Sequence, residues 1–420
     1  MPADHLALPV TVDDVEDAGR LLRNVIRRTP VVRSRALSDR LGGPVHLKCE
    51  NLQRAGSFKI RGAYTRMSRL TDEEKARGVV AASAGNHAQG VALAARLLGV
   101  PARVYMPIGA PLPKLDATRG YGAEVVLSGT TVDDCLVRAE EWAAESGAVM
   151  IHPFDHPDVV AGQGTVGLEL LEQLPGVRTV LVSMGGGGLA AGIATVVKQR
   201  RPEVRVIGVQ AEYAASYPPS LASGKPQALA SMSTMADGIK VGRPGDVPFE
   251  IVAGLVDEVV TVSEEMISRA LLLLLERQKL LVEPAGAVAV AALLGCTRDT
   301  GEPMGPEWLG AGDAPVLAVL SGGNVDPLLL MRLIRHGMAS GGRYLRLQVA
   351  MRDSPGSLAA LLARLAVTDA NVLEVEHVRT GPQIPVNDVE IAVWLETRGA
   401  EHCERVIADL AAAGYDPQVQ

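Results

Sequence analysis

Short strand-like runs alternate with helical runs through most of this chain, and that alternation narrows the possible folds more than any other feature. VVAAS (Val79–Ser83) leads into HAQGVALAARLLG. ARVYMP (Ala102–Pro107) precedes PKLDATRGYG, then AEVVLS (Ala123–Ser128), then TVDDCLVRAEEWAAESG. VRTVLVSM (Val177–Met184) passes through four glycines into LAAGIATVVKQRRP and then VRVIGVQ (Val204–Gln210). PVLAVLS (Pro315–Ser321) leads to PLLLMRLIRHG. Strands that return through helices pair in parallel, so the expected class is α/β with mainly parallel sheets. In open parallel sheets, sites form at the carboxyl ends of strands. The Gly- and Ser-rich turns at Ser83, Met184 and Ser321 all fall there.

The pattern changes near GMASGG (Gly337–Gly342), read as a linker. RYLRLQVAMR (Arg343–Arg352) alternates like a strand. DSPGSLAALLARLAVTDA opens a helix, with Pro355 in its first turn and Asp353 or Ser354 as cap. NVLEVEHVR and VEIAVWLETR alternate as strands, AEHCERVIADLAAAGY is an amphipathic helix, and DPQVQ is a weak last strand. That order is ferredoxin-like and predicts a separate small domain over 343–420. The Gly/Pro-rich stretch 297–313 reads as an exposed loop.

Charge and thiols exclude several classes. A formal charge of −7 with scattered Lys and Arg argues against nucleic-acid binding. The apolar run from Leu271 is broken by Glu276, Arg277, Lys279 and Glu283, so it predicts buried helices and no membrane span. Cys49, Cys135, Cys296 and Cys403 form no C-x-x-C pair and read as reduced thiols of a cytoplasmic protein. MPADHLALPVTVDD lacks the basic start and apolar run of a secretory signal.

Four stretches carry possible chemistry. MGGGGLAAG (Met184–Gly192) follows a strand and opens a helix, so its N–H groups and the helix terminus suit a phosphate; the same pattern suits a tight packed turn. ASAGNHAQG (Ala82–Gly90) offers N–H groups with Ser83, Asn86 and His87 for a carboxylate, or a capped helix with a structural histidine. In SFKIRG, Lys59 stands at a strand-to-helix turn among small residues, where a lysine can lose hydration and form an imine; taken alone, a solvated lysine is the ordinary case. In SGGNVD, Ser321 stands at a strand end, where it caps a turn or bonds a ligand ring atom.

Taken together and in this order, SFKIRGAY, SAGNHAQG, GGGGL and SGGN resemble the fold-type II pyridoxal-phosphate enzymes, in the threonine deaminase (threonine ammonia-lyase) branch, with serine racemases as near relatives. The resemblance covers roughly residues 10 to 335. It implies two open, mainly parallel α/β subdomains in a catalytic domain over 1–336, the smaller (about 54–155) inserted in the larger. It also implies pyridoxal 5'-phosphate as cofactor, covalently attached to Lys59. Phe58 then packs beside the cofactor ring and Asn86 bonds its hydroxyl. Ser83, Ala84, Gly85, Asn86 and His87 receive the substrate carboxylate. Gly185, Gly186, Gly187, Gly188 and Leu189 hold the phosphate, and Ser321 meets the pyridine nitrogen. A serine there holds the ring proton weakly, which suits β-elimination better than transamination.

The implied reaction is deamination of L-threonine to 2-oxobutanoate and ammonia, and of L-serine to pyruvate. Within the family pattern, Ala55 lacks the usual loop hydroxyl. Ala84 stands where racemases place an acidic serine, which argues against a serine racemase. A serine dehydratase and a non-catalytic amino-acid sensor are the other readings. Glu212 matches a metal-binding position of some members, but six residues on stands Pro218, so no metal is expected. Asp237 in MADGIKV and Glu283 in VEPAGA resemble segments near the active site, or simply cap a turn or helix. The C-terminal unit resembles an ACT regulatory domain, with Asp353, Ser354, Gly356, Ser357, Leu358 and Asn371 at its effector-binding positions. That implies an amino-acid or nucleotide effector and a homo-oligomer, dimer or tetramer.

Overall fold

The structure, a computed structural model, describes residues 8–298, 303–304, 309, 314–379 and 387–420. Residues 1–7 of the N-terminal stretch and most of the loop read over 297–313 lie outside the described residues. The chain divides into two compact units, Met1–Asp326 and Pro327–Gln420.

In chain order, the strands of the first unit are β1 (Val31–Arg33), β2 (Val45–Cys49), β3 (Val79–Ala82), β4 (Ala102–Met106), β5 (Glu124–Leu127), β6 (Val149–Met150), β7 (Thr179–Ser183), β8 (Arg205–Ala211), β9 (Glu258–Val262), β10 (Cys296–Arg298), β11 (Pro303–Met304) and β12 (Val316–Leu320). Among the described residues they form an eight-stranded sheet, β1-β2-β12-β7-β8-β9-β10-β11, and a four-stranded sheet, β5-β4-β3-β6. The smaller sheet is parallel throughout and is inserted between β2 and β7 of the larger. The larger is parallel from β2 to β9 in spatial order, with β1 antiparallel at one edge and β10 and β11 antiparallel at the other. The α/β expectation thus holds. The stretch read as an exposed loop contributes instead a short hairpin, Cys296 opposite Met304, joined to β9. Strands this short, set among Gly and Pro, show no alternation to read.

Five helices position the site: α1 (Lys59–Ser68), α2 (Asn86–Leu98), α3 (Pro157–Gln173), α4 (Gly188–Arg200) and α5 (Pro284–Leu294). The most apolar sequence becomes α5, PAGAVAVAALL, buried along nearly its whole length against β7, β8 and β12. A helix apolar on every side belongs in a core. No helix among the described residues is long and apolar enough to cross a membrane. Helices α1 and α3 cross backbone to backbone. A Cβ on Gly62 would come within 2.7 Å of the Val159 carbonyl, and one on Gly162 within 2.6 Å of the Gly62 Cα.

A buried ionic network crosses the same contact. Arg61 on α1 grips Glu50, just past β2, with Nε–Oε2 at 2.8 Å and Nη2–Oε1 at 2.7 Å. Its Nη1 reaches Glu169 on α3 at 2.7 Å and Thr165 at 3.0 Å. Lys48 on β2 closes the square on Glu169 at 2.5 Å and on Gln173 at 2.8 Å. Arg61 and Glu50 are fully buried. Burial alone would push the Glu50 carboxyl up, but Arg61, Lys48 and Thr29 outweigh it and hold it below the usual range.

The second unit holds α6 (Pro327–Ser340), β13 (Tyr344–Arg352), α7 (Ser357–Val367), β14 (Asn371–Val378), β15 (Asp388–Glu396), α8 (Ala400–Ala412) and β16 (Pro417–Val419). From β13 on it is βαββαβ, with an antiparallel sheet ordered β14-β15-β13-β16. The weak DPQVQ strand is present as β16, with Val419 opposite Leu347. Two local expectations are corrected. The stretch read as a linker at Gly337–Gly342 is the end of α6. Gly342 takes φ +64° and the Arg343 N–H donates to the Met338 carbonyl at 2.9 Å, a helix C-cap. Helix α7 begins only at Ser357, with Gly356 (φ +91°) at its N-cap. Asp353 pairs with Arg379 at 3.0 Å, and the Ser354 and Ser357 hydroxyls bond each other at 2.7 Å.

Arg61→Ala leaves the buried Glu50 and the part-buried Glu169 carboxylates facing a single lysine, and should cost about 3–5 kcal/mol of stability. Chemical denaturation of the cofactor-free protein measures it; an unmoved midpoint contradicts this role for the network.

Candidate active site

The SFKIRG turn does not stand alone. The Phe58 N–H donates to the Ser321 carbonyl at 3.2 Å, the Gly323 N–H donates to the Gly56 carbonyl at 2.8 Å, and Ser57 and Gly322 form an isolated bridge. Asn324 donates through Nδ2 both to the Ala55 carbonyl and to Asn86 Oδ1, each at 2.8 Å. The SGGN loop after β12 is therefore strapped to the turn that presents Lys59. Ala55, which offers no hydroxyl to this turn, adopts a left-handed φ of +58°, a conformation that costs an alanine roughly 1 kcal/mol.

Lys59 is the first residue of α1, and its amine points away from bulk water. Nζ donates to the Pro153 carbonyl at 2.9 Å and stands 5.1 Å from the Phe58 ring centroid. Burial draws the amine down to about 8, with Glu283 pulling the other way. Two cavities meet at this residue. The smaller, about 550 Å³, is lined by Phe58, Asn86, the Gly185–Leu189 loop and Ser321; the larger, about 1050 Å³, by Ser83, Ala84, Gly85, Asn86, His87 and Lys114. Asn86, Phe154 and Glu283 border both.

The glycine loop closes the smaller cavity. It leaves β7 at Ser183 and enters α4 at Gly188, whose first N–H groups have no partner inside the helix. Gly187, at φ +95°, admits no side chain: a Cβ there would overlap the Tyr217 hydroxyl, which itself donates to the Gly186 carbonyl at 3.2 Å. A Cβ on Gly186 would overlap the Phe154 ring. The buried backbone is thus packed against Tyr217 and Phe154, and its free N–H groups suit a phosphate.

The SAGNH turn borders the larger cavity. The Gly85 N–H donates to the Ser83 hydroxyl at 3.1 Å. Asn86 opens α2 without capping it. Its amide is oriented from both ends, Oδ1 accepting from Asn324 and Nδ2 donating to Glu283. The His87 ring bonds the Ile151 carbonyl through Nε2 at 2.7 Å, and burial holds it near 3, so it is neutral. His152, accepting at Nδ1 from the Asp155 N–H at 2.8 Å, is likewise held near 4 by burial. Positive charge here comes from the lysines. Lys114, at the start of Leu112–Gly120, lies where a Cβ on Gly85 would be 3.4 Å from its Nζ.

Of the two acids singled out in sequence, Glu283 is buried and belongs to the site. It stands at the start of α5 but bonds Asn86 rather than capping the helix, and burial pushes its carboxyl up against the pull of Lys114 and Asn86. Asp237 is exposed and lines the larger cavity. Glu212 is exposed in a short helical turn away from both cavities. Sequence reasoning missed Lys114, Phe154 and Ser183. Lys114 follows the end of β4, and Ser183 ends β7, so the strand-end rule bears on both; nothing in the sequence marks Phe154.

These residues fit pyridoxal phosphate: a lysine amine in a form able to attack a carbonyl, a buried N–H loop for a phosphate, an oriented amide, and the buried Ser183 hydroxyl, which has no partner among the described residues. Comparison with known proteins agrees. Residues 22–322 match the family model described as pyridoxal-phosphate dependent enzyme. The chain is 45% identical to the L-threonine ammonia-lyase of Thermotoga maritima over 98% of its own length and 99% of that protein's. Among solved structures it resembles the processed form of threonine deaminase isoform 2 from Solanum lycopersicum (TM-score 0.72, 38% identity, 77% of this chain and 92% of that one). It also resembles maize serine racemase (TM-score 0.71, 35% identity, 79% and 99%). On the glycine loop, the enclosed lysine and this likeness over nearly its whole length, the chain belongs to the pyridoxal-phosphate dependent enzymes.

Proposed function

We propose that this protein is an L-threonine ammonia-lyase, converting L-threonine to 2-oxobutanoate and ammonia and L-serine to pyruvate and ammonia. One observation carries the reading: the Lys59 amine stands where a phosphate-type cavity meets a second cavity rimmed by the SAGNH turn. Likeness to the Thermotoga maritima L-threonine ammonia-lyase over nearly the whole chain supports it.

Bound pyridoxal phosphate supplies an electron sink for the carbon bearing the amino group. The protein's part is binding, orientation and proton handling. The N–H groups of Gly185 to Leu189 hold the phosphate, Asn86 the ring hydroxyl and Ser321 the ring nitrogen. The N–H groups of the Ser83–His87 turn, with Lys114 beside them, hold the substrate carboxylate. Lys59 takes the proton from Cα, and an amine near 8 is a competent base near neutral pH. The β-hydroxyl then leaves as water, its uptake of one proton balancing the proton removed from Cα, and the unsaturated amine released becomes an imine that water hydrolyses to the oxo acid and ammonia. Ala84 offers no acid on the opposite face, which disfavours racemisation.

The second unit is proposed to be an ACT regulatory domain over residues 343–420. The βαββαβ topology supports this, as does the exposed turn of Asp353, Ser354 and Gly356, followed by half-buried Ser357 and Leu358 at the start of α7, with Asn371 at the start of β14. An amino-acid or nucleotide effector bound there acts through its differential affinity for two states of a homo-oligomer, typically about 1–3 kcal/mol of coupling. The four cysteines are free, in keeping with a reducing cytoplasm.

Four measurements test these assignments. Lys59→Ala should abolish 2-oxobutanoate formation and the imine absorbance while preserving the fold. In the parent, cofactor attachment to the cofactor-free protein should accelerate as pH rises through about 8, because the lowered value populates the reactive neutral amine above it; acceleration only near the ordinary lysine value contradicts the burial. Ala84→Ser should yield D-serine from L-serine above the parent's level by chiral chromatography, and its absence removes the open-face argument. Ending the chain after residue 340 spares α6 and should leave a threonine-active enzyme that no longer responds to isoleucine, valine or AMP. A retained response places the effector site in the first unit.

A further inference from the structure

The last residue of β7 is a serine among apolar neighbours. Leu181, Val182 and Met184 are fully buried and Ser183 is 4% exposed. Its hydroxyl bonds no group among the described residues, although the other polar groups around the cofactor cavity are paired: Lys59 to Pro153, Asn86 to Asn324 and Glu283, Tyr217 to Gly186. A buried hydroxyl left unpaired is costly, and an alanine would fill the position without that cost. Ser183 also lines the smaller cavity together with Ser321.

Strand register says which end of the cavity it serves. β7 and β12 are parallel neighbours with Leu181 opposite Ala318. Two residues on, Ser183 is level with Leu320, next to Ser321. The N–H groups suited to the phosphate begin beyond it, at Gly185. We propose that Ser183 is a further cofactor-holding residue, whose hydroxyl bonds the ring end of bound pyridoxal phosphate beside Ser321. The proposal rests on the family assignment and not on the choice of substrate. Its consequence is an opposite sign in two states: the hydroxyl burdens the cofactor-free protein and strengthens the loaded one.

The experiment strips the full-length holoenzyme of cofactor and retitrates it with pyridoxal phosphate, reading imine absorbance, for the parent, Ser183→Ala and Ser183→Cys. Ser183→Ala should raise the dissociation constant roughly 2- to 10-fold, the worth of one neutral hydrogen bond. The thermal midpoint of the cofactor-free form should hold or rise. Ser183→Cys, nearly the same shape with a weak donor, should fall between, and it supplies the measurement if the alanine variant folds poorly. Pyridoxal without its phosphate should lose affinity by the same factor. Unchanged affinity overturns the proposal, and so does an equal fall in the midpoints of both forms, the mark of a purely structural hydroxyl. A loss seen with pyridoxal phosphate but not with pyridoxal overturns the ring-end placement. None of these readings depends on threonine turnover, so a failed substrate assignment stays distinguishable from a failed Ser183 assignment.

Discussion

The Arg61–Glu50 pair, extended by Glu169 and Lys48, is the interaction on which the placement of the Lys59 amine depends. Lys59 begins a helix that must be held against a strand of the large sheet and a helix beneath it. Apolar packing can hold such a helix, yet it tolerates sliding. A bidentate guanidinium–carboxylate pair does not, because its planar fork fits in one orientation. Two cations and two anions close the network, so no net charge is left buried. The adjoining glycines, Gly62 and Gly162, bring the helix backbones close enough for the network to form.

A second set of constraints acts from the other side. The SGGN loop reaches across to Gly56, Ala55 and Phe58 through its backbone and Asn324, and the same asparagine fixes the Asn86 amide. Three stretches far apart in sequence thereby become one rigid rim around the Lys59 amine. Preorganisation of this kind keeps a lysine where a carbonyl must be attacked, with its amine already partly neutral.

The electrostatics of the cavities are simple in consequence. Both histidines are kept neutral by burial, so the positive charge near the SAGNH turn comes from Lys59 and Lys114; the exposed Lys240, Asp133 and Asp237 line the same cavity, and burial pushes the Glu283 carboxyl up, toward its neutral form. An amino-acid substrate carries a carboxylate that needs cations and N–H donors, and the larger cavity presents both.

The sequence by itself determined the strand–helix alternation, hence the parallel sheets, and the four motifs at strand ends, because periodicity and glycine turns are local properties of the chain. It also marked Lys59, Asn86, the Gly185–Leu189 loop and Ser321. It misplaced the break after the first unit, since Gly337 to Gly342 reads as a linker when seen locally and is a helix end once Pro327–Ser340 is folded. It missed the β10–β11 hairpin, too short to show a period. Only the tertiary structure decided that Arg61 is a buried anchor rather than a surface charge, that Glu283 serves Asn86 rather than capping a helix, and that the His87 ring is spent on the Ile151 carbonyl. It alone brought Lys114, Phe154 and Ser183 to the cavities. The physical reason is one of range: a turn or a helix start is set by neighbours in sequence, whereas the burial and pairing of a charge are set by whichever distant segments the fold packs against it.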